Sequence, residues 1–459
     1  MKMRSKLLVS ASLILAGLIT TQSASATDGY FSLAYGTQNK GMAGAGIAWY
    51  KNSLINGNPA SLVKLGNQYQ FGVNMFNPNR EYTVSGNPSG MPGTFGLAPG
   101  TVESDSKVFF MPTFGANWLL NDKSSFSIAL YGNGGMNTDY APQTNPMDGN
   151  KYGTFGMPNA DTGVDLGQMF LNFSYAYQVS EKHSFGVTAI AAYQYFEAKG
   201  LGAFGMNGMS SDATKLTDNG HDNAFGVGFK LGYLGQLTEK LSVGASYQTM
   251  VYMSEFDDYA GLFAEQGDFN IPSTWTVGLA YQANENWVFA ADFKRINYSD
   301  IASVSNKMDP MALAPMIPDG AGGFNPNPGY VPLGSDKGAG FGWEDINVYK
   351  VGAEYTGIDT WTLRAGYSHC DQPIQKSEVM FNILAPGVMQ DHITLGCSKV
   401  LNEKGNALHF AFVYAPENSV KGVNPMDFDA AEAMQGNMVP NQTIEIKMSQ
   451  IELEIAYSF

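Results

Sequence analysis

The side chains best suited to chemistry in this chain are five histidines and two cysteines, and their spacing favours no reaction. His221 beside Asp222, and His369 two residues before Asp371, are the best acid–base candidates. A hydrolase displayed on an outer surface would need one of them next to an activated nucleophile. Isolated loop histidines are more often simply solvated, and loss of a hydrolytic activity in His221→Ala would be the sign of the other reading. Cys370, His369 and His392 offer only a weak soft-metal set. Cys397 lies about seven strand residues from the end that carries Cys370, roughly 23 Å at about 3.3 Å per residue, too far for a disulfide. The stretch Gly41 to Gly46 is glycine-rich but lacks the Lys-Ser/Thr of a phosphate loop. No enzymatic activity, metal or cofactor is therefore expected.

Binding chemistry is better represented. Lys230, Lys294, Arg295, Lys350 and Arg364 all fall in strand-like segments, where any of them could pair with a ligand carboxylate. The chain has 23 methionines, and Met308, Met311 and Met316, or Met206 and Met209, would give an adaptable apolar surface for lipophilic ligands. Ordinary surface methionines in loops are the alternative reading.

The elements that must carry these residues announce themselves by period two. Tyr69, Phe71, Val73 and Met75 alternate with small or polar neighbours, as do Phe225, Val227, Phe229, Leu231 and Tyr233. Successive strand side chains point to opposite faces, so such runs are strands with one apolar face. Fourteen segments follow this rule, near 67–77, 107–119, 124–134, 167–180, 183–198, 223–236, 240–253, 273–283, 286–298, 345–356, 360–370, 390–400, 406–416 and 443–459. Their connections alternate between tight turns (SEKH, LTEK, ANEN, GIDT, NEKG) and long links, the longest being 299–344. An even strand number with short turns on one side and long loops on the other predicts an all-β, 14-stranded antiparallel transmembrane barrel, with both chain ends on the short-turn side. In the last segment Ile451, Leu453, Ile455, Tyr457 and Phe459 sit on odd positions but Ile444, Ile446 and Met448 on even ones. A β-bulge near Ser449-Gln450 is expected to reconcile them.

Composition agrees. Residues 1–26 have a basic start (Lys2, Arg4, Lys6), a short apolar core from Leu7 to Ile19 and a small-residue Ala24-Ser25-Ala26 end, the pattern of a cleaved export signal. No later run reaches the roughly 18 apolar residues of a membrane helix. Without the three signal cations, 23 basic residues face 41 acidic ones, a net charge of -18, which argues against a nucleic-acid partner. Fifty-three glycines and a mean hydropathy of -0.15 suit a wall with one lipid face and one wet face. Residues 67–459 form the barrel on this reading, and residues 27–66, where alternation is absent and small residues abound, form a plug or hatch in its lumen. The lipid face implies contact with outer-membrane lipid and lipopolysaccharide, and the protein is expected to be a monomer.

The hatch region carries a resemblance. Gly41 to Gly46 followed by Asn58-Pro59-Ala60 and a short apolar run resembles the N-terminal hatch of the FadL family of outer-membrane channels, and STWTVGLAYQANENWVFAADF, LRAGYSHCDQPI and DHITLG extend the likeness along the chain. Trp49, Tyr50 and Lys51 replace acidic residues expected after the glycines, and Ser61 replaces a Gly. The resemblance implies a Gram-negative outer-membrane location and passive uptake of hydrophobic compounds, foremost long-chain fatty acids, with aromatic or alkane hydrocarbons as the alternative. It implies that Gly29, Tyr30 and Phe31 of the mature N-terminus reach the ligand pocket and gate it. It also implies that an inward kink of the third strand, here Tyr131, Gly132, Gly134 and Gly135, opens a lateral exit. Phe459 resembles the terminal signal read by the barrel-assembly machinery. A non-transporting adhesin or receptor built on long loops, or an open porin, is the competing class; a plugged lumen speaks against the porin.

Overall fold

The computed structural model describes Asp28 to Phe459 except residues 50, 52, 56, 91–93, 142–160, 319–322, 429–431 and 433–438; the expected signal sequence lies outside the described residues. Fourteen antiparallel strands form the wall: β1 Gln68–Ser85, β2 Phe109–Asn121, β3 Ser124–Tyr140, β4 Thr162–Ser180, β5 His183–Lys199, β6 Asp222–Gln236, β7 Leu241–Gln248, β8 Thr274–Gln282, β9 Trp287–Ile296, β10 Ile346–Ile358, β11 Trp361–Cys370, β12 Asp391–Val400, β13 Ala407–Val423 and β14 Thr443–Ser458. Each pairs with its sequence neighbour, and β14 pairs with β1 from Gln70↔Ser458 to Ser85↔Thr443, so the sheet closes. Closure pairs the first strand with the last, so neither is left with its backbone groups unsatisfied in lipid, which is what permits a sheet to span a bilayer. The seam ends with reciprocal bonds between Tyr69 and Phe459, at 2.9 and 3.0 Å, and their rings stack.

The two faces differ as alternation requires. Phe71, Val73, Phe225, Val227, Phe229, Leu279, Val351 and Ile455 are exposed on the outside. Aromatic residues gather toward the short-turn end, where Trp287 packs on Tyr355 at 4.7 Å and Trp118 on Phe126 at 6.2 Å, as at a membrane–water boundary. No described helix is long and apolar enough to cross a membrane.

Several strands outgrow the sequence expectation. β1, β3, β4 and β13 run on toward the long-loop side, to Ser85, Tyr140, Thr162 and Val423. There the outward positions turn polar (Glu81, Thr83) while the inward ones stay apolar (Tyr82, Val84), so the wall continues past the lipid and the simple pattern fades. The segment expected as 240–253 divides instead: β7 stops at Gln248, and Tyr252–Met253 pairs separately with β6.

The expected bulge in the last strand is not there. β14 runs against β1 in unbroken register through Ser449 and Gln450, and all its even residues face inward. The irregularity lies across the ladder, in β13, between Ala415 and Asn418. Ile444, Ile446 and Met448 are apolar because the outer half of the lumen is apolar, whereas Glu452 and Glu454, on the same face nearer the short turns, meet the hatch. A change of partner along one face, not a change of face, produced the mixed pattern.

Candidate functional site

The described residues between 28 and 66 occupy the lumen and are tied to it by charges brought from far along the chain. Lys40 Nζ lies 2.7 Å from Glu452 and 2.9 Å from Glu454, all buried. Asp292 accepts from the backbone N–H of Gly46 and Ile47 at 2.8 and 2.9 Å. Glu354 takes the Trp49 indole N–H at 3.1 Å and Arg364 at 2.8 Å. Asn58, Pro59 and Ala60 form the start of a 3-10 turn, Pro59–Lys64, in which the Asn58 side chain accepts from Ala60 N–H. Its amide also donates to the carbonyls of Ile47 and Tyr233, at 2.8 and 2.9 Å, and Ser184 donates to Ala60. This tripeptide therefore seats the hatch against β5 and β6.

The expected N-terminal and kink residues come together. β2 pairs with β3 only as far as Phe114↔Leu130; beyond that β2 stays with β1, and among the described residues the β3 edge from Tyr131 onward has no strand beside it until Ser104 meets Tyr140. A bulge between Gly132 and Gly134 turns Asn133 inward, where it donates to Gln168 at 3.0 Å and accepts from Tyr35 at 2.7 Å. The N-terminal segment fills part of this break as a short β-bridge: Ser32 N–H donates to the Asn133 carbonyl and Gly135 N–H to the Tyr30 carbonyl, both at 2.9 Å. A Cβ on Gly134 would stand 2.0 Å from the Tyr30 carbonyl oxygen, so only glycine admits the segment.

Asp28 to Phe31 form a tight turn with Gly29 at φ 67°, where a Cβ would also strike the Tyr298 hydroxyl. That hydroxyl donates to the Asp28 carbonyl at 2.5 Å and accepts from Tyr30 N–H at 3.2 Å. Tyr30 sits among Phe31, Tyr298 and Trp343, with ring centroids 5.3, 5.2 and 5.8 Å away. The Asp28 carboxylate reaches Lys350 at 3.2 Å and Lys294 at 3.4 Å. Burial pushes its pKa up, but Lys350 and Lys294 outweigh that and hold it below the usual value.

Cavities flank this segment. On the loop side, one is almost wholly apolar, walled by Phe196, Phe204, Leu262, Phe263, Phe341 and Leu384. Next to the break lies another, small cavity, lined by Phe76, Arg80, Gly135, Met136, Trp343 and Met448. Beneath the segment, a cavity of mixed polarity is lined by Lys230, Lys294, Lys350 and Asp292 together with Phe31, Leu33 and Ile47. Of the candidate capture methionines, Met206, Met311 and Met316 are exposed, but Met209 and Met308 belong to the core.

Other sequence candidates are accounted for differently. His221 pairs with Asp165 at 3.0 Å, and Asp222 instead accepts from backbone N–H groups. His369 pairs with Asp391 at 2.8 Å, while Asp371 holds Asn347. Both cysteines are free, and Cys397 stands opposite Leu363, seven residues along β11 from Cys370, so the two do not meet. Arg295 pairs with Asp345 at 2.8 Å, part-exposed. Sequence reasoning missed Asp28, Lys40 and Arg80. Arg80 had a signal: it continues the inward phase of Asn74, Phe76 and Pro78 past the expected end of β1.

Solved structures share this architecture. The toluene transporter TodX of Pseudomonas putida aligns at TM-score 0.62 and 19% identity, over 93% of this chain and 98% of that one. A FadL homologue of Pseudomonas aeruginosa gives 0.62 and 15%, over 94% and 99%. The Ralstonia pickettii toluene transporter TbuX gives 0.57 and 17%, over 93% and 98%. Comparison with curated protein sequences finds no match. The family model for outer membrane protein transport protein (OMPP1/FadL/TodX) matches residues 17–438, and the chain, an outer-membrane β-barrel, belongs to that family of hydrophobic-compound transporters.

Proposed function

We propose that the protein is a passive channel that takes hydrophobic compounds, long-chain fatty acids first among them, through the outer membrane and releases them sideways into the bilayer. The observation that carries this is the break in the wall between β2 and β3, occupied by Tyr30 to Ser32 beside an apolar cavity. A water-filled pore gives a lipophile no binding energy, but a greasy pocket does: burying roughly sixteen methylenes at about 0.8 kcal/mol each yields up to ~13 kcal/mol gross, before entropy and desolvation costs. Ligand entering among the loops passes from the outer apolar cavity to the one beside Trp343. Withdrawal of the N-terminal segment then uncovers the strand edge, and an apolar solute leaves into lipid rather than periplasmic water. Phe459, at the end of the closing strand, serves the assembly machinery, and the chain works as a monomer in contact with lipid and lipopolysaccharide.

Two of the similar structures are toluene transporters, which favours aromatic hydrocarbons as the second reading. Uptake of radiolabelled oleate and of toluene, by cells with and without the protein, tests both. Unchanged uptake of each in the deletion strain refutes the channel, and an adhesin is then the better account.

A further inference from the structure

Resting on the channel reading, we infer that Arg80 anchors the anionic head of the transported molecule, and that the cavity beside it receives a lipophile bearing a carboxylate. Arg80 projects into the lumen from β1 and is only 5% exposed. Its guanidinium touches the carbonyls of Asn137 and Ser106 and lies 3.3 Å from the Ser106 hydroxyl, but its buried Nε–H has no acceptor. Among the described residues no carboxylate lies within ion-pair distance of it. Lys40, Lys294, Lys350 and Arg364, the lumen's other cations near the hatch, each have one. Asp165 is committed elsewhere, to the Asn137 amide at 2.9 Å and to His221 at 3.0 Å. Among the described residues Lys230 also lacks a carboxylate, yet it faces the cavity of mixed polarity under the N-terminal segment, 5.7 Å from the Tyr35 ring.

Among the described residues Arg80 alone brings a positive charge to the apolar cavity at the break, whose other walls include Phe76, Met136, Trp343 and Met448. A buried charge without a counter-ion is costly, and the planar guanidinium fork matches a carboxylate better than any neutral group does. A ligand with an apolar tail and a carboxylate head satisfies both requirements at once: the tail takes the hydrophobic walls and the head takes the charge. A bare hydrocarbon would leave Arg80 uncompensated.

The test is binding of oleate and of oleyl alcohol, the same chain without the charge, to the purified protein in nanodiscs, read by tryptophan fluorescence. Wild type should prefer oleate by about tenfold or more, the worth of a charge-assisted hydrogen bond. Arg80→Met should lose that preference through oleate alone, with the alcohol binding as before, and Arg80→Lys should keep part of it. Equal binding of the two ligands by wild type, or an undiminished preference in Arg80→Met, overturns the assignment while leaving the channel reading standing. Should Arg80→Met fail to fold, methyl oleate on wild type decides: binding as tight as oleate's overturns the assignment, and weaker binding, matching the alcohol's, supports it. Absence of binding by both oleate and the alcohol sinks the assignment and the channel reading together.

Discussion

At the scale of single residues the N-terminal segment depends on Asp28. Its carboxylate is buried against two lysines, and removing one partner of a buried pair leaves charge stranded. Asp28→Asn should weaken docking of the segment by about 3 kcal/mol, the usual cost of breaking such a pair. Hydrogen exchange of the amides of residues 28–35 should accelerate while that of the barrel strands stays as it was. The pH dependence follows from the same pair. A carboxylate whose docked pKa is lowered contributes stability that is complete above its free value, 3.8, and that disappears as pH falls through the lower docked value. Docking should therefore be constant from neutral pH down to about 4, near the free carboxylate's range, and fail only in stronger acid. Release already at pH 6 would contradict the ion-pair account.

Among the elements, β3 carries the irregularity on which the proposed exit depends. Gly132, Gly134 and Gly135 weaken the ladder where β2 departs, and the chain's own N-terminus supplies the missing bonds. Gly134→Val should expel the segment, since even a Cβ there meets the Tyr30 carbonyl oxygen. The barrel itself should still form, shown by an unchanged heat-dependent shift on denaturing gels. The opposite manipulation tests gating directly. In the antiparallel register of the Phe31↔Gly134 bridge Ser32 stands opposite Asn133, so a disulfide between Ser32→Cys and Asn133→Cys would lock the break shut. Uptake of lipophiles should stop on oxidation and recover on reduction; continued uptake in the locked form would exclude lateral exit at this place.

For the molecule as a whole, buried charges join the described hatch residues to the wall and an apolar cluster lies on the loop side, so the proposed channel is expected to rest closed. Planar-bilayer recordings of the wild type should show no large steady conductance. Lys40→Met strands Glu452 and Glu454 in the lumen and should loosen the hatch, giving frequent ionic openings and a lower unfolding temperature. The sequence alone determined the wall: alternation between faces is a property of neighbouring residues, and so are the tight turns, which is why all fourteen strands and both kinds of connection were legible. The tripeptide Asn58-Pro59-Ala60 and the glycines of β3 were legible as motifs, though not what they would touch. What only the tertiary structure decided is which residues meet across the lumen. Lys40 and Glu452 lie 412 positions apart, and Asp28 and Lys350 lie 322 apart. Nothing local encodes such pairs, nor that one inward face is apolar under the loops and charged beside the hatch; those follow from closing the sheet around its own N-terminal segment.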